Sequence, residues 1–281
     1  MHNSYKWKLV LSVVTTASLL LGNALLNAET DKEAAWKIIL SGLRSTSSED
    51  RVIAVRVLGL LTQDHYASEL AEQALVDGSP EVRSAAATAL GQMHSMASIP
   101  KLRQILNDKE IPVVLAAARA LHQMKDHAGY ETYYEILAGE RKGNEGFFAE
   151  QTAILRDPKK LAELGFEQGI GFIPYAGMGW DAIRTILKND PSPIRAAAAT
   201  MLACDPDPKS ATALVNATHD KNWIVRVAAL EAIAKRGDPS LRIKVEPAMH
   251  DEKREVRFTA AATALRLLHV EDARVATGTK L

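Results

Sequence analysis

The chain carries two His-Asp pairs, His219 with Asp220 and His250 with Asp251, 31 residues apart. Imidazole and carboxylate together are the donor chemistry of a transition-metal site. Both acids, however, also belong to a recurring turn phrase, and the N-terminal half holds no matching set. The pairs therefore predict helix ends, where an imidazolium complements the helix dipole, and no metal. Cys204 is the single cysteine, so neither an intramolecular disulfide nor a thiolate cluster for zinc can form. Its place after the run Ala196 to Ala199 predicts a small buried core residue. Gly169, Gly171, Gly177 and Gly179 invite comparison with phosphate-binding loops, but Pro174 stands where the third glycine is required. No Lys followed by Ser or Thr closes a P-loop, and neither an HExxH nor a GxSxG pattern is present. No catalytic residue, metal ligand or cofactor is assigned, and the reading leans to a non-enzymatic protein.

Elements that could position side chains announce themselves by repetition. A phrase of Arg, an Ala-rich run and a bulky aliphatic begins at Arg51, Arg83, Val114, Arg195, Arg226 and Arg257, with successive starts 32, 31, 81, 31 and 31 residues apart. A second amphipathic segment precedes most copies, as in ASELAEQALV from Ala67 and SATALVNATH from Ser210. Helix-start signals lie between the two, such as Ser79 and Pro80 before Glu81. Each unit reads as helix, turn, helix. One such pair cannot hide its apolar face alone, so the copies must stack. The prediction is an all-α solenoid of about six to seven repeats, forming one elongated domain over 29–269 with a tail at 270–281.

The turn phrase places Asp six residues before Arg, as Asp77 with Arg83, Asp220 with Arg226 and Asp251 with Arg257, while Asp190 precedes Arg195. Here the chain resembles the short HEAT-like repeats of phycobilisome lyase-type proteins, over about residues 34 to 125 and 181 to 269. The resemblance implies an α-solenoid whose Arg and Asp form ladders between neighbouring repeats. Arg matched to acid in this way sets repeat spacing and does not make an anion-binding stripe. HEAT-like deoxyhypusine hydroxylases hold iron through repeated His-Glu pairs; this chain has His-Asp instead, in one consecutive set.

Between Lys125 and Trp180 the phrase disappears. Residues 165–180 form a Gly-rich, aromatic insertion in which no helix persists. Phe166, Phe172, Ile173, Tyr175 and Trp180 are the candidate partner-binding residues, since long loops are often functional. At the N-terminus, Lys6 and Lys8 precede an apolar stretch from Leu9, followed by small residues up to Ala28. Residues 1–28 read as a signal peptide, with an uncleaved anchor as the alternative. Export to a bacterial periplasm is the expected location.

Lys plus Arg and Asp plus Glu are both 34, which removes the basic footprint of a nucleic-acid binder. Membrane contact is expected only if the N-terminal segment is retained. The expectation is an exported, non-enzymatic interaction scaffold binding a protein or peptide through the solenoid surface and central loop. The alternative is a lyase- or hydroxylase-like HEAT-repeat enzyme, or enzyme subunit, acting on a tetrapyrrole or protein substrate.

Overall fold

The computed structural model describes residues 31–138 and 191–277, and every regular element among them is helical. Helix α1 runs over 31–43. It is followed by α2 (Ser48–Leu58), α3 (His65–Ala74), α4 (Pro80–Gln92), α5 (Ile99–Ile105), α6 (Ile111–Gln123) and α7 (His127–Leu137). The second described segment contributes α8 (Ser192–Leu202), α9 (Pro208–Ala217), α10 (Trp223–Arg236), the single turn α11 (Arg242–Val245) and α12 (Arg254–Ala276).

Helix starts follow from local chemistry. Ser79 accepts from the Val82 amide at 3.4 Å and Pro80 takes the first turn of α4, where its missing N–H costs nothing. Asp64 and Asn222 cap α3 and α10 in the same way, each at 2.9 Å. Gly237, at a φ of 64°, ends α10 in the left-handed conformation that a β-carbon disfavours.

The Ala-rich helices form the inner layer. Helices α2, α4 and α6 lie side by side, as do α8, α10 and α12, while α3, α5 and α9 each back the following inner helix. Leu58, Leu90, Leu121, Leu230, Ile233 and Leu267 are fully buried between the layers, each stabilising by about 1.5–3 kcal/mol. Alanine lets the axes approach closely.

The structure departs from an array whose two ends stand apart. Helix α12 packs not only on α10 but also on α2, so the last repeat sits beside the first. The inner layer therefore reads α6, α4, α2, α12, α10, α8 in space, with the first and last described repeats meeting at its middle. The cause lies in the composition of α12: Val256, Phe258 to Leu265, Leu267 and Leu268 are all buried, leaving no polar flank along that stretch. A terminal repeat normally presents a polar outer face; this one needs a neighbour on both sides. Gly42 provides the room, because a β-carbon there would lie 2.5 Å from the Phe258 ring.

Candidate functional site

The turns joining outer to inner helices hold a rail of ion pairs. Arg51 donates from Nε and Nη2 to Asp77 at 2.8 and 2.9 Å, Arg83 to Asp108 at 2.7 and 2.9 Å, and Arg195 to Asp220 at 2.9 and 3.0 Å. Each arginine thus pairs with the aspartate of the following repeat. The aspartate of its own repeat contributes its carbonyl, as when Arg83 Nη1 donates to Asp77 O at 2.9 Å and Arg257 Nη1 to Asp251 O at 2.8 Å. The carboxylates also accept backbone amides two residues on, at 2.8 Å for Asp77 from Ser79 and 2.8 Å for Asp220 from Asn222.

Arginine hydrogen bonds hold Asp77 and Asp108 below the usual carboxylate range. Burial opposes the same shift at Asp220, but Arg195 and the Asn222 amide prevail. At Arg226 the fork is incomplete: Nη2 reaches Asp251 at 2.9 Å, while buried Nε makes no hydrogen bond. Val114 occupies the arginine slot of the third repeat and is buried, so the rail beginning at Arg51 stops at Asp108. These guanidinium groups are committed to spacing the repeats. Asp190, Phe166, Phe172, Ile173, Tyr175 and Trp180 lie outside the described residues.

Cys204 is exposed, which corrects the buried reading. It follows Ala203, the C-cap of α8, and so lies in the turn rather than on the helix face that packs. His219 follows the C-cap of α9, its Nδ1 lying 3.1 Å from Thr218 Oγ1 and 3.3 Å from Val215 O. His250 ends a short 3-10 turn. Among the described residues, no three His, Cys, Asp or Glu side chains gather where they could hold a metal ion.

A different set of side chains converges on the inner surface, where a groove of about 720 Å³ crosses the junction of first and last repeats. Glu255, Thr259 and Arg266 of α12 supply its floor at helical spacing, between Ile53 and Arg56 of α2 and Val227 and Glu231 of α10. Leu60, Ile224 and Ala228 add apolar surface. Three features set its electrostatics. Glu231 is solvent-exposed where it opens onto the groove, yet the protein crowded about it pushes its carboxyl above the ordinary range against the pull of Arg56. Desolvation lowers the Arg266 guanidinium. Arg266 donates to Thr62 O at 3.3 Å, and no carboxylate among the described residues pairs with it. Such a site offers a positive charge to an incoming anion at one point and a carboxyl raised above its ordinary range at another.

Arg56 and Glu231 occupy the sixth place of their phrases, counting from Arg51 and Arg226; the other copies have Thr88, Arg119, Thr200 and Ala262 there. The signal was a polar or charged residue inside an otherwise Ala-rich run. Helical geometry turns that place toward the inner surface at Arg56, Thr200 and Glu231, all of which line the groove.

A family model of HEAT repeats matches residues 37–130 and 181–266. No curated protein sequence matches the chain. Among solved structures it is similar to human deoxyhypusine hydroxylase in complex with glycerol, at 18% identity and a TM-score of 0.34, covering 87% of this chain and 99% of that one. It is also similar to the complex of CpcE and CpcF of phycocyanin lyase from a Nostoc species, at 21% identity and a TM-score of 0.33, covering 84% of this chain and 92% of that one. Both are proteins of enzyme systems, and the expectation of a non-enzymatic scaffold is corrected accordingly in favour of the alternative. At these scores the likeness transfers neither substrate nor site.

Proposed function

Since the chain belongs to the HEAT-repeat family, we propose that it is an enzyme or enzyme subunit that seats its substrate in the inner groove. Stacked repeats of this kind use their concave surfaces for binding. The observation that carries the reading is Arg266, a desolvated guanidinium on the groove floor with no acid beside it among the described residues. Ile53, Leu60, Ile224, Val227 and Ala228 supply an apolar bed around it. The substrate class that suits both is an elongated apolar body bearing carboxylates, and a linear tetrapyrrole with propionate arms is the form to try first. Arg266 would hold a carboxylate through a charge-assisted fork. Glu231, its carboxyl raised by crowding, stands in the same groove as a candidate proton donor.

Two measurements test this. Protein purified from its host is expected to carry visible absorption from bound pigment, and biliverdin added to colourless recombinant protein is expected to shift its spectrum on binding. Arg266→Ala should weaken that affinity by about tenfold or more, the worth of a hydrogen bond to a charged group, and Arg266→Lys should recover part of it. A colourless native preparation with no spectral change on adding biliverdin would overturn the proposal, as would equal affinity in the Ala variant. Export belongs to the same proposal: the mature protein from host cells should begin at Glu29, by intact mass, after loss of residues 1–28.

A further inference from the structure

Away from the groove, α1 and the turn residue that follows it present a row that recurs every four residues: Lys32, Trp36, Leu40 and Arg44, flanked by Lys37. They line a shallow concavity of about 500 Å³ with Glu33 as its one acid. Lys32, Lys37 and Arg44 are exposed, while Trp36 and Leu40 are half-buried. The Trp36 ring meets Tyr66 of α3 edge-on at 4.9 Å, and Tyr66 is itself 45% exposed. The three cations differ from the arginines of the rail and the junction, because none of them forms an ion pair among the described residues.

We propose that this face docks on an anionic lipid surface. The row combines what such a surface takes: amphipathic aromatic rings that settle at headgroup level, an apolar strip to enter the acyl boundary, and long basic side chains that reach phosphate while covering apolar surface. Charge complementarity is direct, three cations against one acid. The inference is independent of the groove and of any substrate.

The test is partitioning of the mature chain, beginning at Glu29, onto vesicles of phosphatidylcholine containing 30 mol% phosphatidylglycerol (~30% anionic lipid), against vesicles of phosphatidylcholine alone. Basic residues near an anionic surface contribute roughly fivefold each, so three should give on the order of a 100-fold preference for the anionic vesicles. The triple variant Lys32→Gln, Lys37→Gln, Arg44→Gln should lose most of that preference. All three side chains are exposed, so a melting curve superimposable on that of the parent would verify that folding is intact. Trp36→Ser should weaken binding to both kinds of vesicle. Equal partitioning of the parent protein onto both vesicles would overturn the proposal. An anionic preference that survives in the triple variant would overturn it too.

Discussion

Arg254 and Asp50 are 204 residues apart in the chain and are joined by an ion pair of 2.7 Å. Glu49 takes the other arm of the same guanidinium at 2.7 Å, and the two carboxylates hold Arg254 more firmly protonated than an ordinary arginine. The pair belongs to a wider seam. Arg242 reaches Asp31 at 2.7 Å, Arg266 reaches Thr62 O, and His269 lies 3.7 Å from Asp64. First and last repeats are therefore bound through polar contacts at the rim and apolar packing beneath.

The rim contributes modestly. Arg254 is 35% exposed and Glu49 74%, so water and salt screen much of the attraction. Arg254→Ala is expected to cost about 1 kcal/mol, lowering Tm by roughly 2–4 °C. Raising the salt concentration should narrow the gap between variant and parent. Thermal melts at low and high ionic strength check both statements.

The packing beneath should matter more. In Gly42→Ala the new methyl would meet Phe258 at 2.5 Å and Ala54 at 2.7 Å, forcing α1 and α12 apart. We expect a loss of about 1–3 kcal/mol, the usual cost of overpacking. Small-angle scattering distinguishes this from a local defect: parting of the seam should enlarge the radius of gyration, whereas unchanged scattering would place the strain elsewhere.

Breaking one rung of the rail leaves its partner charge stranded. Arg83 and Asp108 are each only 10% exposed, so Asp108→Ala is expected to cost about 3 kcal/mol, more than the same change at the wetter pair of Arg51 and Asp77. Denaturant midpoints of the two variants rank them. The rail also sets acid sensitivity. Asp77, Asp108 and Asp220 have lowered folded-state pKa values, so their contribution is complete above the unfolded value of about 3.9 and disappears as pH falls through the folded values. Stability should fall progressively below about pH 4, and replacing Asp108 should flatten that dependence.

Glu231 and Arg56 offer a second titration test. Crowding raises the Glu231 carboxyl and Arg56 opposes the rise. Arg56→Ala should therefore move the Glu231 midpoint further upward, followed by carboxyl carbon chemical shifts in labelled protein. No movement, or a fall, would show that Arg56 does not face the groove carboxylate.

Much of the architecture is legible in the spacing of the phrases from Arg51 to Arg257, because a repeated helical pattern admits few folds. The pairing partner was harder to read: Arg83 stands six residues after Asp77 in sequence, yet its carboxylate partner is Asp108 of the next repeat. Local order shows only the carbonyl contact. The seam had a signal that periodicity obscures, namely the run from Phe258 to Leu268 with Arg266 as its one charge. An outer repeat written that way must be covered, but the pattern does not say by what. Arg56, Glu231 and Arg266 escaped notice because single charges within alanine runs resemble ordinary solvent-facing positions until neighbouring helices curve around them. Cys204 failed for a simpler reason, one residue beyond the helix cap.

Joining α12 to α2 also imposes an order on biogenesis. The apolar flank of α2 is presented as soon as the first repeat is made, but its cover lies about 200 residues downstream; at translation rates of about 5–20 residues per second it waits roughly 10–40 s. During that interval the nascent protein is an open chain with an unfinished edge, a substrate for holding factors. Completion of the final helix closes that edge and ends the need for them.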